Sequence, residues 1–324
     1  MYHIGFSKSS RLYGKISIGP NSIVSQGAIL RSHESSIKVG NNTGILENCV
    51  VIGTNDRKVN IGSKTVFGHS CVVLGAEVGN LCEVGNRTIF MPGSKVGDQC
   101  IFGEATIVPE NKIIPSHSVV LGRPAKIIRK LTDSDLKMIK KMRNNNISLS
   151  EFLEKIIEKE FEGDQMGKLH PFKDKYPVVN ESTIVYDTAE ITGDVTIGEN
   201  CIIASGVKII GDSHGHVEIG NHVQILENTV LHLLPGNKLI IKDHTIIGPG
   251  CVVHGTIIEE GCVIESGSTL CDNSHIGENS LIKAGSLVKQ NSKIESNSIV
   301  EGFPAKKIDT VNGQVEKPMW AFPK

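Results

Sequence analysis

The sequence predicts two parallel β-helices in tandem with a helical segment between them, an architecture that is otherwise all β. Three observations carry that expectation: apolar residues recur every six positions, the pattern runs twice about 180 residues apart, and rings are scarce. One run reads Val78, Val84, Phe90, Val96, Phe102, Val108, Ile114, Val120; before it come Ile18, Val24, Leu30, then Val39, Ile45, Val51, then Ile61, Phe67, Val73. A period of six suits neither an amphipathic helix nor an alternating strand. It suits a triangular coil of three hexads, roughly eighteen residues per turn. The apolar residue is expected to point into a narrow prism. The small residue four places on (Ser22, Ala28, Thr43, Cys49, Thr65, Cys71) fits beside it at the turn. The glycine after the apolar residue, as in Val39-Gly40 and Ile61-Gly62, is expected to accept the corner's backbone angles. Aromatics are 4% of the 324 residues although 39% are hydrophobic, and a narrow prism is expected to leave no room for stacked rings.

The second set begins with Ile197, Ile203, Ile209, continues through Ile219, Ile225, Leu231 and Ile241, Ile247, Val253, and runs from Ile258 to Val300. The irregular step from Val73 to Val78 recurs as Val253 to Ile258, and Ile45-Leu46-Glu47-Asn48 recurs as Ile225-Leu226-Glu227-Asn228. The chain is a tandem duplication. The expected divisions are 1–130 for the first β-helix, 131–177 for the helical linker, 178–308 for the second β-helix and 309–324 for an extended tail. Within the linker, Leu131 to Arg143 reads as a helix opened by a capping box of Thr132 and Asp135. Asn144-Asn145-Asn146 breaks it. Ser148 and Glu151 then read as the cap of a second helix, with Phe152, Leu153, Ile156, Ile157 and Phe161 as its apolar stripe. Packing on the flank of the first prism is the expected use of both. The single Trp, Trp320, is expected to dock in a groove.

Charge excludes some functions. Lys and Arg total 34 against 35 Asp and Glu, so no cation excess is available to displace counterions from a nucleic acid. No apolar run approaches a membrane span. Residues 1–15 lack the apolar core of a signal peptide, and the chain is expected to be cytoplasmic. Lys8, Arg11 and Lys15 weakly resemble an organelle presequence, so a matrix location stays open. The eight cysteines contain no Cys-x-x-Cys pair and read as small buried thiols of a reduced compartment. His214-Gly215-His216 reads as a solvated loop.

The more specific signals are Gly68-His69, the closing Leu121-Gly122-Arg123-Pro124-Ala125-Lys126-Ile127-Ile128-Arg129 and the helix start Leu131-Thr132-Asp133. In the second half they are Gly211-Asp212, Glu227-Asn228, Leu231-His232, Val253-His254-Gly255 and Gly302-Phe303-Pro304-Ala305-Lys306. In these residues the chain resembles the γ-class carbonic anhydrases, trimeric left-handed β-helices of the hexapeptide-repeat superfamily, over nearly all of both halves except the linker and tail. The resemblance implies a metal held by three histidines across a subunit interface, two from one protomer and the middle one from its neighbour. Those places read Ile52, His69 and Leu74 in the first half and His232, Pro249 and His254 in the second. The implied ligands are therefore His69, His232 and His254, brought together only where a first half meets a second half. Zinc, iron or cobalt would suit them, with a fourth position open to water.

The geometry agrees with that reading. His232 and His254 each follow the last inward residue of successive coils, which stack about 4.8 Å apart. Three neutral histidines would bring the pKa of a bound water to about 7, as carbon dioxide hydration needs. The family's Arg-Gly-Asp reads Arg31-Ser32-His33 and Ile210-Gly211-Asp212, which implies supporting catalytic roles for Arg31 and Asp212. Its Gln is Leu46 and Leu226 here, so a polar group that would hold substrate or solvent is missing from both halves. The implied partners are a further copy, or a related β-helix subunit completing a threefold ring, and CO2 or bicarbonate. Two alternatives stand beside this: a non-catalytic assembly scaffold of the same fold, and an acyltransferase using coenzyme A with His254 as general base.

Overall fold

A computed structural model describes residues 5–32, 35–54, 56–152, 156–159, 166–212 and 215–323. It contains two left-handed parallel β-helices in tandem, and its backbone divides into two compact units at Phe161 and Glu162. Each unit has three sheets whose strands come from successive coils. In the first, Val50, Val72, Ile89 and Ile107 are Cα partners down one sheet. In the second, the partners are Val230, Val252, Thr269 and Leu287, each 180 residues later. The irregular step is thus a short coil, kept in both copies. Among the described residues no helix is long and apolar enough to cross a membrane.

The hexad residues line the two prisms. Val24, Val39, Ile45, Phe90 and Val108 in the first unit, and Ile209, Ile225, Leu231, Ile247 and Val253 in the second, have no accessible surface. Burying each such side chain stabilises by about 1.5–3 kcal/mol before chain entropy is charged against it. The first prism does hold rings. Phe67, Phe90 and Phe102 sit inside it edge to face, at 6.0 Å and 5.1 Å between centroids. Rings too wide to stack flat fit when turned against one another, because they alternate between faces and have valines as neighbours.

The small residue at each corner also has a bonding role. Thr65 Oγ1 donates to Gly79 O at 2.7 Å, and in the second unit Thr183 Oγ1 donates to Gly198 O at 2.7 Å. The thiols of Cys82 and Cys262 make the same bond to Gly97 O and Gly277 O at 3.3 Å and 3.2 Å. A hydroxyl or thiol is therefore favoured over a methyl, since it satisfies a carbonyl at the turn of the next coil. Seven of the eight thiols are buried and Cys271 is partly so. Burial pushes Cys251 and Cys262 up to about 12, which keeps them protonated and inert.

The glycines work differently from the expectation. The left-handed corner angle falls on residues such as Asn42 and Lys64, with φ of 55° and 57°. Gly40 and Gly62 do not carry it. A Cβ on Gly40 would collide with the backbone of Gly62 and Ser63, and one on Gly62 with Gly79 and Asn80. These glycines are there for close approach between coils.

The helix expected after the first prism is Asp133–Met142, with N-cap Thr132 and the full capping box. Arg129, whose guanidinium bonds Asp135, holds that carboxyl well below its usual range. Ile139 is buried, Arg143 donates from Nε to Lys64 O at 2.7 Å, and its guanidinium pairs with Glu83 at 2.5 Å. The helix thus packs on the flank of its own unit. Among the described residues the second expected helix does not form. Ile156–Lys159 is a strand, antiparallel to Gly14–Ser17, and Ser150 Oγ instead accepts from Asn41 Nδ2 at 3.0 Å. Leu153 and Phe161 of the expected stripe lie outside the described residues. The strand Arg11–Ile18, which follows a short first strand Gly5–Phe6, pairs with the coil after it and leaves an open edge before it. The β-branched Ile156-Ile157 pair closes that edge. The opposite ends are closed too, by the antiparallel strands Lys126–Lys130 and Ala305–Thr310. Within the segment expected as linker, Lys168–His170 is already a strand paired with Glu190–Thr192.

The tail docks on the second unit as the lone Trp suggested. Trp320, Ala321 and Phe322 are buried. The Gln224 side-chain amide accepts from Phe322 N at 2.9 Å and donates to Phe322 O at 3.1 Å, as a strand backbone would. Asn279 does the same with Val315 N and Gly313 O, at 2.8 Å and 2.7 Å.

Candidate functional site

Val230–His232 and Val252–His254 are adjacent parallel strands in which His232 and His254 are direct Cα partners. Leu231 and Val253 point into the prism with no exposed surface, so the residues after them face outward. The two imidazole centroids lie 5.2 Å apart with planes at 79°. Each ring has its own carboxylate. Asp212 Oδ2 is 3.5 Å from His232 Nε2, and Asp272 Oδ2 is 3.1 Å from His254 Nδ1. An ionised carboxylate only accepts, so His254 donates its Nδ1 proton to Asp272, and in the neutral ring Nε2 then carries the lone pair.

Asp272 is itself fixed. Its Oδ1 accepts from Leu234 N at 3.2 Å and from Asn237 Nδ2 at 3.1 Å, and Asn237 Nδ2 also donates to Gly255 O at 2.8 Å. Gly255 is required for this packing, because a Cβ there would collide with Asn237 Nδ2 and Asp272 Oδ1. Asp272 and Asn237 were not singled out from the sequence. The signal was available: Asp272 lies 18 residues beyond His254, one place past its register on the short next coil.

The other expected residues lie apart from this pair. His69 belongs to the first unit, exposed, with Nδ1 2.7 Å from Glu47 Oε2 and its backbone N bonded to Asn86 Oδ1. Its counterpart Pro249 is buried in the second unit. Ile52 and Leu74, which take the places of His232 and His254, are fully buried. Arg31 is a buried side chain of the first unit, at Cα register with Ile52, whereas Asp212 stands beside His232 in the second. His33 and His214 lie outside the described residues, and His216 Nδ1 bonds Asp194 Oδ1 at 2.9 Å. Among the described residues, no group of three or more His, Cys, Asp or Glu side chains is arranged to hold a metal. His232 and His254 are two nitrogen donors suited to a divalent transition metal, and within one unit the set is incomplete.

Comparison with known proteins finds relatives over part of the chain. A carbonic anhydrase of Geobacillus kaustophilus is 40% identical over 92 residues, which is 28% of this chain and 50% of that protein. The chain is similar to γ-class carbonic anhydrases. The γ carbonic anhydrase 2 of Arabidopsis thaliana mitochondria is 33% identical over 93 residues, 27% of this chain and 33% of that one. An uncharacterized transferase of Bacillus subtilis is 36% identical over 92 residues, 28% of this chain and 53% of that one. This γ-carbonic-anhydrase-like chain spans about half the length of the bacterial relatives it matches, and a third of the plant one. No family model matches it. Among solved structures, a putative acetyltransferase of Bacillus cereus aligns with a TM-score of 0.44 and 35% identity, over 45% of this chain and 84% of that one. Carbonic-anhydrase-like relatives and hexapeptide acetyltransferase neighbours therefore both occur.

Proposed function

We propose that the chain is a γ-carbonic-anhydrase-like metalloprotein that hydrates carbon dioxide, with His232 and His254 of one copy and His69 of another as ligands. The observation that supports this reading is the His232–His254 pair with a carboxylate on each ring. Two solvated histidines need no such arrangement. Asp272 holds the His254 tautomer with Nε2 available, and Asp212 stands where it can do the like for His232 or accept a proton from it. A divalent metal, when bound, would supply Lewis acidity toward water at neutral pH. Arg31 remains a supporting residue only if assembly brings it near such a site. The test is metal analysis of the purified full chain beside CO2 hydration, in wild type and His254→Ala. One transition metal per site, lost with activity in the variant, is the expected result. Absence of bound transition metal in the wild type overturns the reading.

A second reading is favoured by the incomplete ligand set and by Leu46 and Leu226, where the family pattern has Gln. Under it the fold is an assembly scaffold without catalysis. It expects no metal, and a stable complex with another protein that is lost on deleting residues 317–324.

A further inference from the structure

The first unit carries three lysines in one concavity of about 200 Å³, lined by Lys15, Ser17, Ser36, Lys38, Lys58 and Asn60, with Ile37 behind them. Strand register makes the arrangement regular. Ser17, Lys38 and Asn60 are Cα partners down three successive coils. Two residues earlier on the same coils, and so on the same outward face, stand Lys15, Ser36 and Lys58. The ammonium groups therefore alternate with neutral donors over a patch two residues wide and three coils high. No carboxylate lines it, and none of the three lysines forms an ion pair among the described residues. Lys38 Nζ lies 4.0 Å from the centroid of the Phe152 ring, a contact that steadies the cation without neutralising it.

The duplicate shows what an internally balanced version of this patch looks like. The same six places in the second unit carry Asp194, Thr196, His216, Glu218, Lys238 and Ile240. There Asp194 bonds His216 at 2.9 Å and Lys175 at 3.4 Å, and Glu218 lies 3.8 Å from Lys242. Lys95, further along the lysine-bearing sheet of the first unit, is paired with Glu77 at 2.9 Å. Glu158 is the Cα partner of Lys15 on the neighbouring strand, but Lys38 and Lys58 have no carboxylate partner in register. Like charges gathered in one hollow repel and favour a ligand that brings negative charge.

We propose that this concavity binds a multivalent oxyanion of phosphate or diphosphate size. The ammonium groups of Lys15, Lys38 and Lys58 supply charge-assisted donors, and Ser17, Ser36 and Asn60 supply neutral ones. The test is calorimetric titration of the full chain with inorganic phosphate and with pyrophosphate, at an ionic strength of about 0.01 M where screening is weak. Saturable one-to-one binding is expected, tighter for pyrophosphate and weaker in about 0.15 M salt. Lys38→Gln and Lys58→Gln should each weaken it about tenfold, the scale of one charge-assisted bond, while Lys95→Gln should leave it unchanged. Thermal unfolding checks that each variant is folded, and should Lys38→Gln fail that check, Lys58→Gln decides alone. Absence of saturable binding overturns the proposal, as does an equal loss in Lys95→Gln. So does a change in sedimentation of the ligand-free chain in the lysine variants without a change in anion affinity. That last result would make carboxylates of another copy the occupant instead.

Discussion

The first and second units bury the same prism and differ at several places where a side chain points outward. Ile52 and Leu74 are sealed in the first unit where His232 and His254 stand open in the second. Arg143 reaches back from a helix to cover Glu83 in the first, whereas the second receives its own tail on Gln224 and Asn279. A lysine cluster in the first corresponds to a mixed, internally paired cluster in the second. Inward positions are held by packing, since a methylene more or less is felt throughout a dense core. Outward positions answer to chemistry, and after duplication each copy could take a different one.

The largest effect expected from breaking this comparison is in the core. Phe90→Ala removes the middle of three rings in the first prism and should cost about 3–5 kcal/mol. Scanning calorimetry should show the transition of the first unit moved down and that of the second unmoved. A single transition shifted as a whole would mean that the copies unfold together.

Next is the flank. Arg143→Ala leaves Glu83 without its cation and should cost about 3–5 kcal/mol at neutral pH. Burial raises the Glu83 pKa, and Arg143 opposes that rise. A raised carboxylate costs stability in full above its folded pKa. The cost falls to nothing only as pH drops to the unfolded value, because over that range the native state binds the proton more readily than the unfolded chain. The loss relative to wild type should therefore shrink as pH falls from neutral through the carboxylate range, as read by denaturant melts at each pH. The second unit has Val263 at this place and offers no such dependence.

A smaller effect is expected at the histidine pair, and it sharpens the functional contrast. Asp272→Asn keeps the shape of the side chain and removes the acceptor that fixes His254. Metal affinity, read by competition with a chelator, should weaken about 10–100-fold. The first unit has Pro92 in that position, so no counterpart variant should matter. The smallest effect is at the helix. Thr132→Ala should lose about 1 kcal/mol through the lost cap, detectable only in unfolding of the first unit.

Much of the architecture was legible because the inward side chain must be apolar at every sixth place, with the same irregular step in both copies. The capping box of Thr132 and Asp135 was legible because its partners are three residues apart. The strand Ile156–Lys159 was not, because its partners Gly14–Ser17 are far away in sequence and its apolar spacing also fits one helix face. Nor was the role of Gly40 and Gly62, which depends on how closely two coils approach. At the candidate site the histidine pair could be read from its position after Leu231 and Val253. Asp272 became visible only once the coil length was fixed, and Asn237 sits on a loop that the hexad pattern does not index.

The strands that close each stack have a consequence for association. A solenoid coil offers its neighbour a complete row of backbone donors and acceptors, so a stack left open at either end would be a template on which further chains could add. Ile156–Lys159 runs antiparallel to the first coil, and Lys126–Lys130 and Ala305–Thr310 run antiparallel to the last coils. A parallel newcomer finds the wrong direction at each of these three strands. Each blunts one sheet edge of three at its end of a stack, and a chain stripped of one of them should associate more readily, as read by sedimentation.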